Sequence, residues 1–233
     1  MKRLRQFWRI AAALLGFPVF AAGPSGFPIQ DESLRYTINW PNGLSMGEAT
    51  LTVRRANSGW RFELWMDAGF PGYTLSDDIQ SFASAGLCSL EMDRNTTHGS
   101  RKTKDKTIFD YSGGHGIRET MNGEGKSEFP ISSCARDALD FVYFARRELG
   151  QGRVPPAEDV YFGPLYWVRL EYTGAQTVLV NGKRVDTDHV AVDLKGPASN
   201  ASFEIFFARD AARTPLIIRV PFSLGAFSME LAP

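Results

Sequence analysis

The chain has 233 residues, 26 Lys and Arg balanced by 26 Asp and Glu, 43% hydrophobic residues and two cysteines. That composition excludes a disordered chain, a collagenous repeat and a disulfide-dense miniprotein. A chain of this length buries about 70% of its unfolded surface and can build a core without staples. Its balanced charge speaks against nucleic acid, which demands clustered cations to neutralise phosphates.

Met1 to Arg9 holds four cations (Lys2, Arg3, Arg5, Arg9) and no acid, and the apolar run Ile10 to Phe20 follows. Eleven apolar residues are too few to cross a bilayer, which takes about 20. Val19 and Ala21 occupy the small-residue positions that a signal peptidase reads. Residues 1–21 are therefore expected to be a signal peptide cleaved after Ala21, and residues 22–233 a single β-rich domain, exported to the periplasm and not membrane-spanning. Loss of the four leader cations takes the formally neutral chain to −4.

The remainder alternates at period two, the signature of strands with one face on a core. Tyr36, Ile38 and Trp40 alternate with polar residues; Ala49, Leu51 and Val53 and then Trp60, Phe62, Leu64 and Met66 form a hairpin across Asn57-Ser58-Gly59. Thr107 to Tyr111 and Ile117 to Met121 flank Ser112-Gly113-Gly114, and Asn122-Gly123 follows. From Arg136 to Leu149 the period changes: Ala138, Leu139, Val142, Tyr143 and Leu149 recur at helical spacing, with Asp137 at the start and Gly150 as a stop. Gln176 to Val180 meets Lys183 to Thr187 through Asn181-Gly182, the strongest two-residue hairpin signal present. Val190 to Leu194, Phe203 to Phe207, Leu216 to Val220 and Phe227 to Leu231 close the chain. Antiparallel hairpins with one long helix and no βαβ alternation predict a mainly β fold: a single rolled or barrel-like antiparallel sheet with the helix packed against or inside it.

Several segments then carry a resemblance. Leu34-Arg35-Tyr36-Thr37-Ile38-Asn39-Trp40 with Gly47-Glu48-Ala49, Asp77-Asp78-Ile79-Gln80-Ser81-Phe82 and the helix Asp137 to Arg146 resemble the bacterial domain-of-unknown-function family numbered 3108. The closing segments Phe206 to Val220 and Leu224 to Leu231 resemble that family's last pair of strands. The resemblance implies an exported β-rich cell-envelope protein and carries no activity onto any residue.

Few residues suggest chemistry. Cys88 and Cys134, 46 positions apart, are an even pair in an oxidising compartment; a disulfide, two buried thiols and a functional pair are all open. His98, His115 and His189 are scattered and lack metal-ligand spacing. Gly43-Leu44-Ser45-Met46-Gly47 spells a nucleophile elbow, which needs a helix after the turn. Here a strand follows, so a serine esterase at Ser45 is only an alternative reading. Adjacent Asp77 and Asp78 point to opposite faces of a strand, one of them pairing with an arginine. Arg101-Lys102-Thr103-Lys104-Asp105-Lys106 reads as a solvated edge or loop, with contact to anionic lipid as the alternative. Asn95-Thr96-Thr97 reads as a loop. Trp65, Trp167 and Phe206 fall opposite the core alternation and are the candidate ligand-facing aromatics if the sheet curls into a groove. No catalytic, cofactor or metal residue is assigned. The expectation is a non-enzymatic envelope protein that binds a lipid or other hydrophobic envelope component or a protein partner, or a structural module without ligand.

Overall fold

The computed structural model describes residues 29–70, 72–121, 125–197, 200–222 and 225–233; the leader reading of residues 1–21 and the Asn122-Gly123 turn lie outside them. The chain first lays down eight strands in sequence: β1 (Glu32–Asn39), β2 (Ser45–Ala56), β3 (Gly59–Phe70), β4 (Tyr73–Ser84), β5 (Ser89–His98), β6 (Arg101–Asp110), β7 (His115–Thr120) and β8 (Gly125–Pro130). A two-residue strand β9 (Arg136–Asp137) runs directly into the helix α1 (Ala138–Gly150). Six further strands, β10 (Glu158–Tyr161), β11 (Leu165–Val180), β12 (Lys183–Lys195), β13 (Asn200–Ala208), β14 (Pro215–Phe222) and β15 (Gly225–Leu231), complete the return.

All fifteen strands form one sheet in the order β8-β7-β6-β5-β4-β3-β2-β1-β15-β14-β13-β12-β11-β10-β9. Every neighbouring pair is antiparallel except β9 and β10, which run parallel. The first and last strands meet in the middle, Tyr36 opposite Leu231 and Asn39 opposite Ser228. The Asn181-Gly182 hairpin forms as predicted, with Val180 paired to Lys183 and both turn residues at positive φ.

This order forces curvature. β8 and β9 are opposite edges of the sheet, and laid flat at the usual strand spacing those edges would stand about 67 Å apart. Only residues 131–135 join them, and six Cα steps span at most about 22 Å. The sheet must therefore roll until its edges approach. It does not close through a hydrogen-bonded ladder, so the result is a rolled, open sheet and not a sealed barrel.

Side chains and a backbone hydrogen bond sew the seam instead. Cys88 and Cys134 form a disulfide, and the Ser89 amide donates to the Ala135 carbonyl at 2.9 Å. The Tyr111 hydroxyl donates to the Ser89 carbonyl at 2.7 Å; burial pushes its pKa up to about 12, which keeps it a donor at ordinary pH. Tyr161 donates to the Pro130 carbonyl at 3.1 Å and stacks on Phe129. Arg94 reaches across to the Phe162 carbonyl at 2.9 Å.

Rolling creates an interior, and α1 fills part of it. Leu139, Phe141, Tyr143, Ala145 and Leu149 join the inner face of the sheet in the main core, with Tyr36, Val53, Phe62, Ile79, Val190 and Phe207 among its strand residues. At its C-terminal end α1 is pinned by the fully buried Arg146, which pairs with Glu32 and donates Nε to the Ala212 carbonyl at 3.0 Å. Tyr143 donates to the same Glu32 at 2.8 Å. At the N-terminal end Asp137 is the cap, accepting from the amides of Leu139 and Asp140 at 2.9 and 3.2 Å. The Ser81 hydroxyl donates to Asp137 and the Ser89 hydroxyl to Asp140, and the Asp137 amide donates to Ser89 Oγ at 2.7 Å. Burial raises the pKa of both carboxyls; Asp140, with the Asp137 carboxylate beside it, goes well above the usual range.

Two outcomes are expected. Replacing both cysteines, Cys88→Ser with Cys134→Ser, frees a loop of 46 positions and should lower the unfolding free energy by about 4 kcal/mol on the loop-entropy model. Urea denaturation reads this, and an unchanged midpoint would mean that the noncovalent seam suffices. The buried carboxyl pair binds its proton more tightly folded than unfolded, so its stabilising contribution is complete below about pH 4 and is lost as pH rises through the raised values. Asp140→Asn removes that ionisation yet keeps an acceptor for Ser89. Its stability should fall less steeply between pH 4 and 7 than the wild type's, and an equal slope in pH-dependent urea melts would contradict the assignment.

Candidate functional site

The helix divides the interior by its own periodicity. Tyr143 and Arg146 belong to the stripe that meets the first strands, where the Tyr143 ring lies 4.7 Å from Phe62 and both side chains reach Glu32, while Leu139 borders both sides. Ala138, Phe141, Val142 and Ala145, at i, i+3, i+4 and i+7, turn toward β10 to β13. Two of these four are alanines, whose short side chains leave space in front of them. Between them and the inner side chains of β10 to β13, such as Val168, Val192 and Phe207, lies a cavity of about 440 Å³. Its lining is aliphatic or aromatic throughout, and Tyr166 contributes the one side-chain polar atom. Ala201 on its rim is exposed and Val142, Phe162 and Tyr166 are half-buried, so the cavity reaches the surface.

Part of the inner face of β4 to β7 is polar. Two arginines share one buried carboxylate: Asp105, 1% exposed, lies 2.7 Å from Arg94 Nη2 and 2.9 Å from Arg118 Nη2. Asp77 Oδ1 is 2.8 Å from His98 Nε2. The partner expected for Asp77 or Asp78 was an arginine; in the structure Asp77 holds a histidine, because Leu75 pairs with His98 and Asp77 with Thr96, bringing both side chains to one face. The expectation of an edge or loop at Arg101 to Lys106 is corrected in part. The segment is strand, not loop: it lies in β6 with all six residues paired to β5, and from Asp105 onward β7 covers its other side, which leaves Arg101 to Thr103 as the solvated edge. Its lysines alternate outward while Thr103 and Asp105 turn inward. Asn95-Thr96-Thr97 is not a loop either but part of β5.

Ser45 is exposed at the first residue of β2, and a strand follows the turn. The three histidines have other neighbours: His98 has Asp77, His115 has Asp110 at 3.9 Å, and His189 has Glu204 at 3.4 Å and lies flat on Phe206. The most chemical-looking constellation is the Asp137 and Asp140 pair with its two serines. Both side chains are completely buried, and their hydrogen bonds run to the first turn of the helix and to Ser81 and Ser89. Trp65 is 47% exposed on the outer face of β3. Trp167 lies under the ammonium of Lys195, 4.9 Å from its ring. Phe206 is buried in a separate outer cluster with Val178, Val180, Ala208, Leu216 and Ile217. β2, β1, β15 and β14 separate β3 from β13, so these aromatics form no common surface, and none of them lines the cavity. Strand alternation cannot reveal that lining, because its residues come from β3, α1 and four later strands; the helical stripe of small residues was the available signal.

No match is found among curated proteins. Among solved structures, the chain is similar in fold to a crystal structure described as a beta-barrel-like protein of domain of unknown function DUF1849 from Brucella abortus. The TM-score is 0.60 at 5% identity, over 88% of this chain and 96% of that one. The family model for DUF3108, described as protein of unknown function, matches residues 35–232, and with the rolled sheet and its helix in view the chain belongs to that family.

Proposed function

We propose that this protein is a non-enzymatic, periplasmic component of the cell envelope that holds a hydrophobic ligand between α1 and the inner face of β10 to β13. The observation that carries the reading is the apolar cavity of about 440 Å³, within the range of roughly 300–1,000 Å³ typical of small-molecule sites. Unfilled apolar volume in a core costs on the order of 24 cal/mol per Å³. Even with its open mouth, a space of this size represents several kcal/mol that larger side chains at Ala138, Val142 or Ala145 would recover. An occupant offers the same gain through apolar burial. Export is supported by the leader-like residues 1–21 and by a disulfide, which persists in oxidising compartments.

A neutral fluorophore, N-phenyl-1-naphthylamine, should bind the chain saturably with enhanced emission. Val142→Phe, which fills the cavity from the helix, should weaken that binding by about tenfold or more while leaving the cooperative melt in place. Probe binding that ignores this substitution would place it elsewhere and remove the cavity from the account. Protein recovered from the periplasmic fraction should begin at Ala22; recovery of an intact Met1 chain from the cytosol alone would defeat the localisation.

A further inference from the structure

The apolar cavity has a polar neighbour. A second recess of about 300 Å³ shares two lining residues with it, Phe162 and Tyr166, so those rings lie between the two spaces. The second recess is lined by Arg94, Arg101, Arg118 and His98. Against these cations stand two carboxylates on the same inner face, Asp105 between Arg94 and Arg118 and Asp77 beside His98. Among them, three guanidinium groups face two acids, leaving one positive charge in excess. Arg118 Nε is buried and has no hydrogen-bond partner, a donor whose desolvation nothing yet compensates. Arg94 is turned partly toward the cavity: its guanidinium lies 5.2 Å from the Phe162 ring and its Nη1 binds the Phe162 carbonyl.

We propose that the ligand is an amphiphile with an anionic head, its acyl chain in the cavity under α1 and its carboxylate or phosphate in the arginine recess. This rests on the ligand-binding reading above and adds its head-group chemistry. An apolar molecule without charge would fill the first space and leave the unbalanced guanidinium beside a low-dielectric wall, where it is costly. An anion at the junction neutralises it and supplies an acceptor to Arg118. A chain attached to that anion would run past Phe162 and Tyr166, the two rings that border both spaces.

The test compares dodecanoate with its methyl ester, same tail and no charge, as displacers of N-phenyl-1-naphthylamine from the disulfide-intact protein. The variant is Arg101→Gln, since Arg101 is exposed at the end of β6, whereas Arg94 and Arg118 hold the buried Asp105. The acid should displace the probe at about tenfold lower concentration than the ester. Arg101→Gln should cut that ratio to about threefold and leave probe and ester binding unchanged. Equal displacement by acid and ester from the wild type, with the probe bound, would overturn the head-group assignment and leave the cavity standing. Calorimetric binding of inorganic phosphate as tight as dodecanoate would also overturn it, in favour of a free-anion site. Failure of probe, acid and ester alike would remove the cavity reading and this one with it.

Discussion

Five residues between opposite edges of a fifteen-stranded sheet are the constraint from which the rest of this structure follows. A sheet so connected cannot lie open, and the right-handed twist of its strands supplies the sense in which it curls. Once it curls it has an inside, and the chain provides the filling at the one point where it crosses from edge to edge, the helix that begins as β9 ends. The seam is then a matter of side chains: a disulfide, two tyrosine hydroxyls and an arginine do what a ladder would do in a closed barrel. Those contacts fix how far the edges approach without forcing every backbone group along them into register.

The helix is held more by its ends than by its middle. A buried ion pair through Arg146 and a protonatable carboxyl pair at Asp137 and Asp140 fix its position at the two extremes. Such buried polar groups are expensive and rarely stabilise more than apolar packing would, but they are specific: each has few geometries in which all partners are satisfied. Anchored this way, the helix can present small residues to one wall without collapsing onto it. The apolar space is thus a consequence of polar contacts made elsewhere along the same helix.

The fold was largely legible because inward and outward residues alternate cleanly in most strands. Tyr36 and Ile38, Phe62, Val190 and Val192, and Ile205 and Phe207 all point inward as their period requires. Asn181-Gly182 placed a hairpin to the residue. Legibility failed where the interior is itself polar. Nothing local distinguishes Arg101 to Lys106 from a solvated segment, since Asp105 is buried only by virtue of Arg94 and Arg118 on neighbouring strands. The outward aromatics drew attention for the opposite reason: Phe206 is covered by the tip of the β11–β12 hairpin, a tertiary event that follows the register shift between Tyr172 and Gly174. The disulfide could be suspected from cysteine count but not paired with the seam, because the seam exists only once both edges are in place.

The meeting of the first and last strands has a consequence for biogenesis. β1 has β2 on one flank and β15 on the other, so the sheet remains two unjoined halves until the C-terminal residues are available. Pairings of such long sequence separation are slow to form, since the chain must be confined before they reward it. A polypeptide emerging from a ribosome or a translocation channel therefore cannot lock its architecture early, and stays threadable until its final segment arrives.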